Sequence, residues 1–223
     1  MKALLLLLIL TPVFAFAQKP APVCKCPETM YVSAGTKPSK MFNFSNGRSI
    51  GLFGYEETEL IKGRTLYSEF VLSVCGAKKI IRFWGAVETC DVSFAHDTLY
   101  VKTLYDFPVG KNMKPEYLPW TIERIYFSGG GAVRDLTIDP AIPRYTPTQS
   151  AKVLSLYRHT PNENGDATID LADKLLVSAM SGSKKAKYLL VNFHKKFTML
   201  DGHPAEEYDT IMGMLNLWDK THR

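Results

Sequence analysis

Residues 69–107 read EFVLSVCGAKKIIRFWGAVETCDVSFAHDTLYVKTLYDF, and this stretch decides the fold. It is dense in β-branched and aromatic residues and is followed at once by Pro108. Turn signals at Gly76-Ala77, Gly85-Ala86 and Ala95-His96-Asp97 cut it into four strand-length runs: Phe70–Cys75, Lys79–Trp84, Thr89–Phe94 and Leu99–Asp106. Cys90, Val92 and Phe94 alternate with Asp91 and Ser93, while Leu99, Val101 and Thr103 alternate with Tyr100 and Lys102. The pattern predicts an antiparallel meander with one buried face, on which Val92, Phe94, Leu99 and Val101 sit.

Upstream, Met41–Phe44 and Ser49–Phe53 flank Asn46-Gly47 and read as a hairpin entering the sheet. Residues 18–40 carry four prolines and read as an extended lead-in. Downstream, a proline-punctuated loop precedes two more strand candidates, Trp120–Phe127 and Val133–Ile138, joined across Ser128-Gly129-Gly130-Gly131. That glycine run lacks the lysine followed by Ser or Thr of a phosphate loop, and the spacing of G-x-G-x-x-G, so it reads as a hairpin turn.

Three prolines between Asp139 and Pro147 mark a change of period from two to 3.6. Helices are predicted over Gln149–Arg158, Ile169–Met180, Lys184–Met199 and Pro204–Trp218. Gly182, Ser183, Asp201-Gly202 and Pro204 punctuate them. The fold class expected is α+β: an antiparallel β domain over residues 41–147, meander or sandwich-like, then a small helical region over 148–223.

The first seventeen residues, MKALLLLLILTPVFAFA, have a basic start, a short apolar run and an Ala15-Phe16-Ala17 cleavage site. This is the pattern of a secretory leader, too short for a membrane span. Cleavage after Ala17 removes seventeen of 223 residues and leaves 206, and the loss of Lys2 lowers the formal charge from +5 to +4. The expected location is secreted or periplasmic, with no transmembrane segment. So mild a positive excess gives no support to nucleic-acid binding.

Four cysteines in an exported chain imply disulfide bonding. In a simple meander Cys75 and Cys90 would lie roughly 15 Å apart, beyond the about 7 Å that a bridge spans. Cys24 and Cys26 are too close together to reach both at once. Either the meander is interrupted or some cysteines are unpaired.

Catalytic patterns are sparse. There is no G-x-S-x-G and no H-E-x-x-H, and the histidines are scattered over His96, His159, His194, His203 and His222. His96-Asp97 is a candidate acid/base pair at a hairpin tip, where Asp also supports turns. Asp135 and Asp139 could share one face of a strand, or simply be solvated there.

Residues 162–173, NENGDATIDLAD, resemble the twelve-residue calcium loop of EF-hands in the form seen in dockerin modules. Asn162, Asn164, Asp166, Asp170 and Asp173 occupy loop positions one, three, five, nine and twelve, and Thr168 would offer its backbone carbonyl at position seven. The resemblance implies calcium as a cofactor. Asn162 replaces the usual aspartate, and Ala167 stands where glycine normally makes the sharp turn. The alternative is a polar cap on the following helix, with Asp166 or Thr168 as N-cap.

Lys184, Lys185, Lys187, Lys195 and Lys196 lie opposite the apolar stripe of the third helix candidate, a face for an anionic surface or for solvent. The sequence therefore points to an exported, non-enzymatic module that binds another protein. A secreted hydrolase with a dispersed active site is the alternative; a pocket gathering a histidine with carboxylates or a hydroxyl would favour it, whereas a broad exposed apolar or aromatic patch would favour binding.

Overall fold

The computed structural model describes residues 23–57, 63–162, 166–197 and 202–222. The expected leader lies outside the described residues. One antiparallel sheet contains β1 (Lys40–Asn43), β2 (Ser49–Glu57), β3 (Leu66–Val74), β4 (Ile80–Trp84), β5 (Cys90–Ala95), β6 (Thr98–Phe107), β7 (Glu116–Ser128) and β8 (Gly131–Ile138). Four helices follow: α1 (Pro147–His159), α2 (Asp166–Met180), α3 (Lys184–Val191) and α4 (His203–Thr221). The α+β class is as expected, and residues 70–106 contain no helix.

The strand order corrects the simple meander. It runs β1-β2-β3-β5-β6-β7-β8, with β4 paired to β3 off this path. One half of β3 pairs with β4 through Phe70–Ser73, and the other pairs with β5 at Leu66 and Tyr67. The switch falls at Glu69, whose φ of +47° bends β3 between its two partners. Trp84 stacks on Phe70 with centroids 4.7 Å apart, and this pins β4 to its half of the strand.

The interrupted meander also settles the cysteines. Cys24 is bonded to Cys75, which ties the lead-in to the end of β3, while Cys26 and Cys90 are buried free thiols. Cys75 and Cys90 are not joined: β5 lies beside β3 rather than one strand further on, but Cys90 faces Tyr67 at the opposite end of β3 from Cys75. Burial pushes the Cys90 thiol up to about 12, so it packs as an apolar group rather than acting as a nucleophile.

Two tight hairpins close on residues with positive φ. His96 (+49°) and Asp97 (+53°) turn β5 into β6, and Gly129 and Gly130 turn β7 into β8. Asp97 accepts from the Ser45 backbone N–H at 3.0 Å, so His96-Asp97 serves a turn and an inter-hairpin contact. Phe44 packs edge-on against Phe94 and Phe127, at 4.9 and 4.8 Å, and folds the β1–β2 hairpin over the sheet. The result is an open barrel whose core includes Ile50, Leu72, Trp84, Leu99, Val101 and Ile125. Val92 is buried there too, whereas Phe94 is only partly so.

Several elements are longer than the sequence patterns implied. β7 starts at Glu116 and contains Pro119, which faces Leu104 at a register shift. A bulge is one of the few places in a sheet where a residue without an N–H is tolerated. The outer half of the β6–β7 hairpin leaves the barrel, and Phe107, Met113 and Trp120 pack into a second core with the helices. That hairpin is the spine of the molecule.

The helices start where chemistry dictates. Thr146 and Gln149 form a reciprocal capping box before α1, with Pro147 in its first turn, and Ser183 caps α3. α3 ends at Val191 rather than running to Met199. Asn192 bonds back to the Tyr188 carbonyl, a turn of 3-10 helix follows, and Phe193 and Phe197 turn inward against Tyr157.

Candidate functional site

A cavity of about 1010 Å³ lies where the β6–β7 hairpin passes from one core to the other. On the barrel side its wall includes Arg82, Glu88, Thr103 and Thr121. On the helical side it includes Asp173 of α2, and His203, Glu206 and Glu207 of α4. Tyr117, Trp120, Leu136, Met214 and Leu217 give it apolar stretches.

At its centre the Tyr105 hydroxyl donates to Asp173 Oδ1 at 2.6 Å, a contact between β6 and α2 across 68 residues of chain. Burial is the main reason why the Asp173 carboxyl is pushed up to about 7. The negative charges of Glu207, Asp170 and Asp106 act in the same direction, and the Tyr105 hydrogen bond opposes them. Burial first, and then the Asp173 charge, push the Tyr105 hydroxyl far up, so it stays a donor. Asp106 is also raised by burial. Asp173 can therefore give or take a proton near neutral pH.

The basic side chains that line the cavity have acidic neighbours. Arg82 pairs with Glu88 at 2.6 Å and with Glu123 at 3.0 Å, and His203 lies 3.5 Å from Glu207. Six carboxylates face the cavity against one arginine and one histidine. Among the described residues no cation pairs with Asp106, Asp173 or Glu206.

The residues of the calcium-loop resemblance are split up. Asn164 lies outside the described residues, and from Asp166 onward the segment is helix. Thr168 is buried, Asp170 pairs with Lys174 one turn on, and Asp173 bonds to Tyr105. Asn162, after α1, makes a contact of its own. Among the described residues no three His, Cys, Asp or Glu side chains are grouped to hold a metal ion.

Other candidates do different work. Asp135 accepts from the Tyr126 hydroxyl at 2.9 Å, while Asp139 accepts from the Ala141 N–H at 2.8 Å, so the two do not converge. Of the lysine face, Lys187 pairs with Asp219 and Lys196 bonds to the Tyr157 carbonyl. Lys185 lies over the Tyr188 ring.

Sequence reasoning named Asp170 and Asp173 but missed Tyr105, Glu206 and Glu207. The available signal was Asp173 itself, which interrupts the apolar stripe of α2 between Ile169 and Leu176. Comparison with protein-family models, with curated proteins and with solved structures finds no match to this chain.

Proposed function

We propose that the protein is an exported, non-enzymatic binding protein that seats a segment of another protein in the cleft between barrel and helices. The observation that carries this reading is the cleft itself. At about 1010 Å³ it reaches the upper end of the range for small-molecule pockets, and its aromatic and apolar walls suit side chains rather than a bare ion. Export is supported by the leader pattern and by the Cys24–Cys75 disulfide, which belongs to an oxidising compartment. Among the described residues no helix is long and apolar enough to cross a membrane.

A second reading has one observation in its favour. A carboxyl held near neutrality beside a tyrosine and Glu207, with His203 at the rim, is the equipment of a general acid or base, so hydrolysis in the same cleft is the alternative. Calcium at residues 162–173 is a separate proposal, and it requires the first turns of α2 to open. An anionic surface on the α3 lysines is less favoured, because Lys187 and Lys196 already have partners.

Gly213 supplies the test. It lines the cleft from α4, and a Cβ added there meets nothing within 4 Å, which gives a larger side chain an open start into the cleft. Gly213→Phe should fill the cleft and leave the fold intact. Peptides found by ligand-observed NMR with wild-type protein should lose binding in this variant. Unchanged binding would place the site elsewhere. New product signals that vanish in Asp173→Asn would establish the hydrolase instead.

A further inference from the structure

We infer that the segment held in the cleft is basic, presenting lysine or arginine side chains whose apolar stems lie on the aromatic wall and whose charged ends meet the carboxylates. The inference rests on the cleft being a binding site. The cavity points to an occupant, and the charge of its lining fixes the sign.

Complementarity decides which occupant suits the lining. The chain as a whole carries a net charge of +5, yet this cavity has six carboxylates and two basic groups. Both basic groups are committed, Arg82 to Glu88 and Glu123, and His203 to Glu207. Asp170 is matched by Lys174, which leaves Asp106 and Glu206 with no basic partner among the described residues and Asp173 with the Tyr105 hydroxyl alone. They come from three separate elements, β6, α2 and α4, and so approach the cavity from different sides.

Between the charges lie Tyr105, Tyr117 and Trp120 on the sheet side, with Met214 and Leu217 on the helix side. An anionic segment would meet six carboxylates and find Arg82 already paired. An uncharged apolar segment would bury carboxylates without partners, at a cost in desolvation. A lysine or arginine satisfies both walls at once, because its methylene stem covers apolar surface while its head stays polar. Aromatic faces add attraction for such a cation.

The test uses the full mature chain and two capped pentapeptides. One alternates leucine with lysine, and in the other glutamine replaces each lysine. Binding is followed by backbone chemical-shift changes along the cleft. The lysine peptide should bind, weaken as salt is raised, and bind about tenfold more tightly than the glutamine peptide. The double variant Asp106→Asn, Glu206→Gln changes two exposed side chains and should weaken the lysine peptide by about two- to fivefold per carboxylate.

Equal binding of the two peptides would overturn the basic segment and leave the cleft standing as a binding site. So would wild-type affinity in the double variant, provided that Gly213→Phe still blocks binding. Shifts from neither peptide at millimolar concentration would overturn the inference and the reading beneath it together.

Discussion

Glu123 in the barrel and Asp173 at the cleft are both carboxylates turned toward the interior of the molecule, and they are treated in opposite ways. Glu123 on β7 is 2% exposed and is gripped from both sides, by Arg82 of β4 and by Arg134 of β8. Arg134 also reaches the Ile81 carbonyl at 3.5 Å, so the triad holds the β4 and β8 edges together where no strand ladder joins them. Asp173 has a neutral hydroxyl for a partner and further carboxylates for neighbours. A buried charge that is matched on both sides serves the architecture. One that is left unmatched beside a cavity is kept at the expense of stability, which is the ordinary signature of a working site.

Glu123→Ala should have the largest effect of the changes considered. It would leave two arginines facing each other at the barrel seam and should remove about 3–5 kcal/mol of stability. Urea denaturation of wild type and variant measures this. A loss under about 1 kcal/mol, the scale of an ordinary surface pair, would mean that the triad does not hold the seam.

Asp173→Asn sharpens the comparison from the other side, because it should stabilise the protein. The amide oxygen can still accept from Tyr105, and the charge is gone. The sign follows from linkage. The folded carboxyl titrates at about 7, against 3.8 for the ordinary group, so below 3.8 both states are protonated and nothing is lost. As pH rises from 3.8 through 7 the unfolded state ionises first, and wild type loses up to about 4 kcal/mol relative to the variant. Above 7 the gap should stay constant. Parallel stability curves for the two proteins across that window would show that Asp173 is not held near neutrality.

The sequence carried much of the sheet and little of the site, for physical reasons. Period-two alternation in Val92 to Val101 reflects one buried face, and it survives any rearrangement of strand order. The bypass from β3 to β5 does not show in that alternation. It depends on the backbone at Glu69 and on the stacking of Trp84 over Phe70, neither of which leaves a periodic trace. Pro119 disguised the start of β7, because the bulge beside it, where Trp120 is the extra residue between Thr121 and Pro119, shows only in the pairing with β6. The carboxylates of residues 162–173 were read as neighbours along a loop. In the folded chain Asp170 and Asp173 are helical, and the partner of Asp173 is 68 residues away on a strand. Proximity in sequence was the wrong metric for a site assembled from β6, α2 and α4.

The glycines repeat the contrast on a smaller scale and give the finest test. Gly54, in the barrel, has no room for a side chain: a Cβ there would stand 2.5 Å from Phe70 Cβ and 2.6 Å from the Glu69 carbonyl. Gly54→Ala must push β2 from β3 and should cost about 1–3 kcal/mol, as overpacking does. Gly213 is the reverse. It sits within α4, a Cβ there meets nothing within 4 Å, and glycine inside a helix is about 0.8–1.0 kcal/mol worse than alanine. Gly213→Ala should therefore raise stability by roughly that amount, read as a small upward shift in melting temperature. A methyl group at that wall is too small to fill a cavity of about 1010 Å³, so binding in the cleft should change little where Gly213→Phe abolishes it. If Gly213→Ala destabilises instead, the helix is packed on that face, and the open wall on which the binding reading depends does not exist.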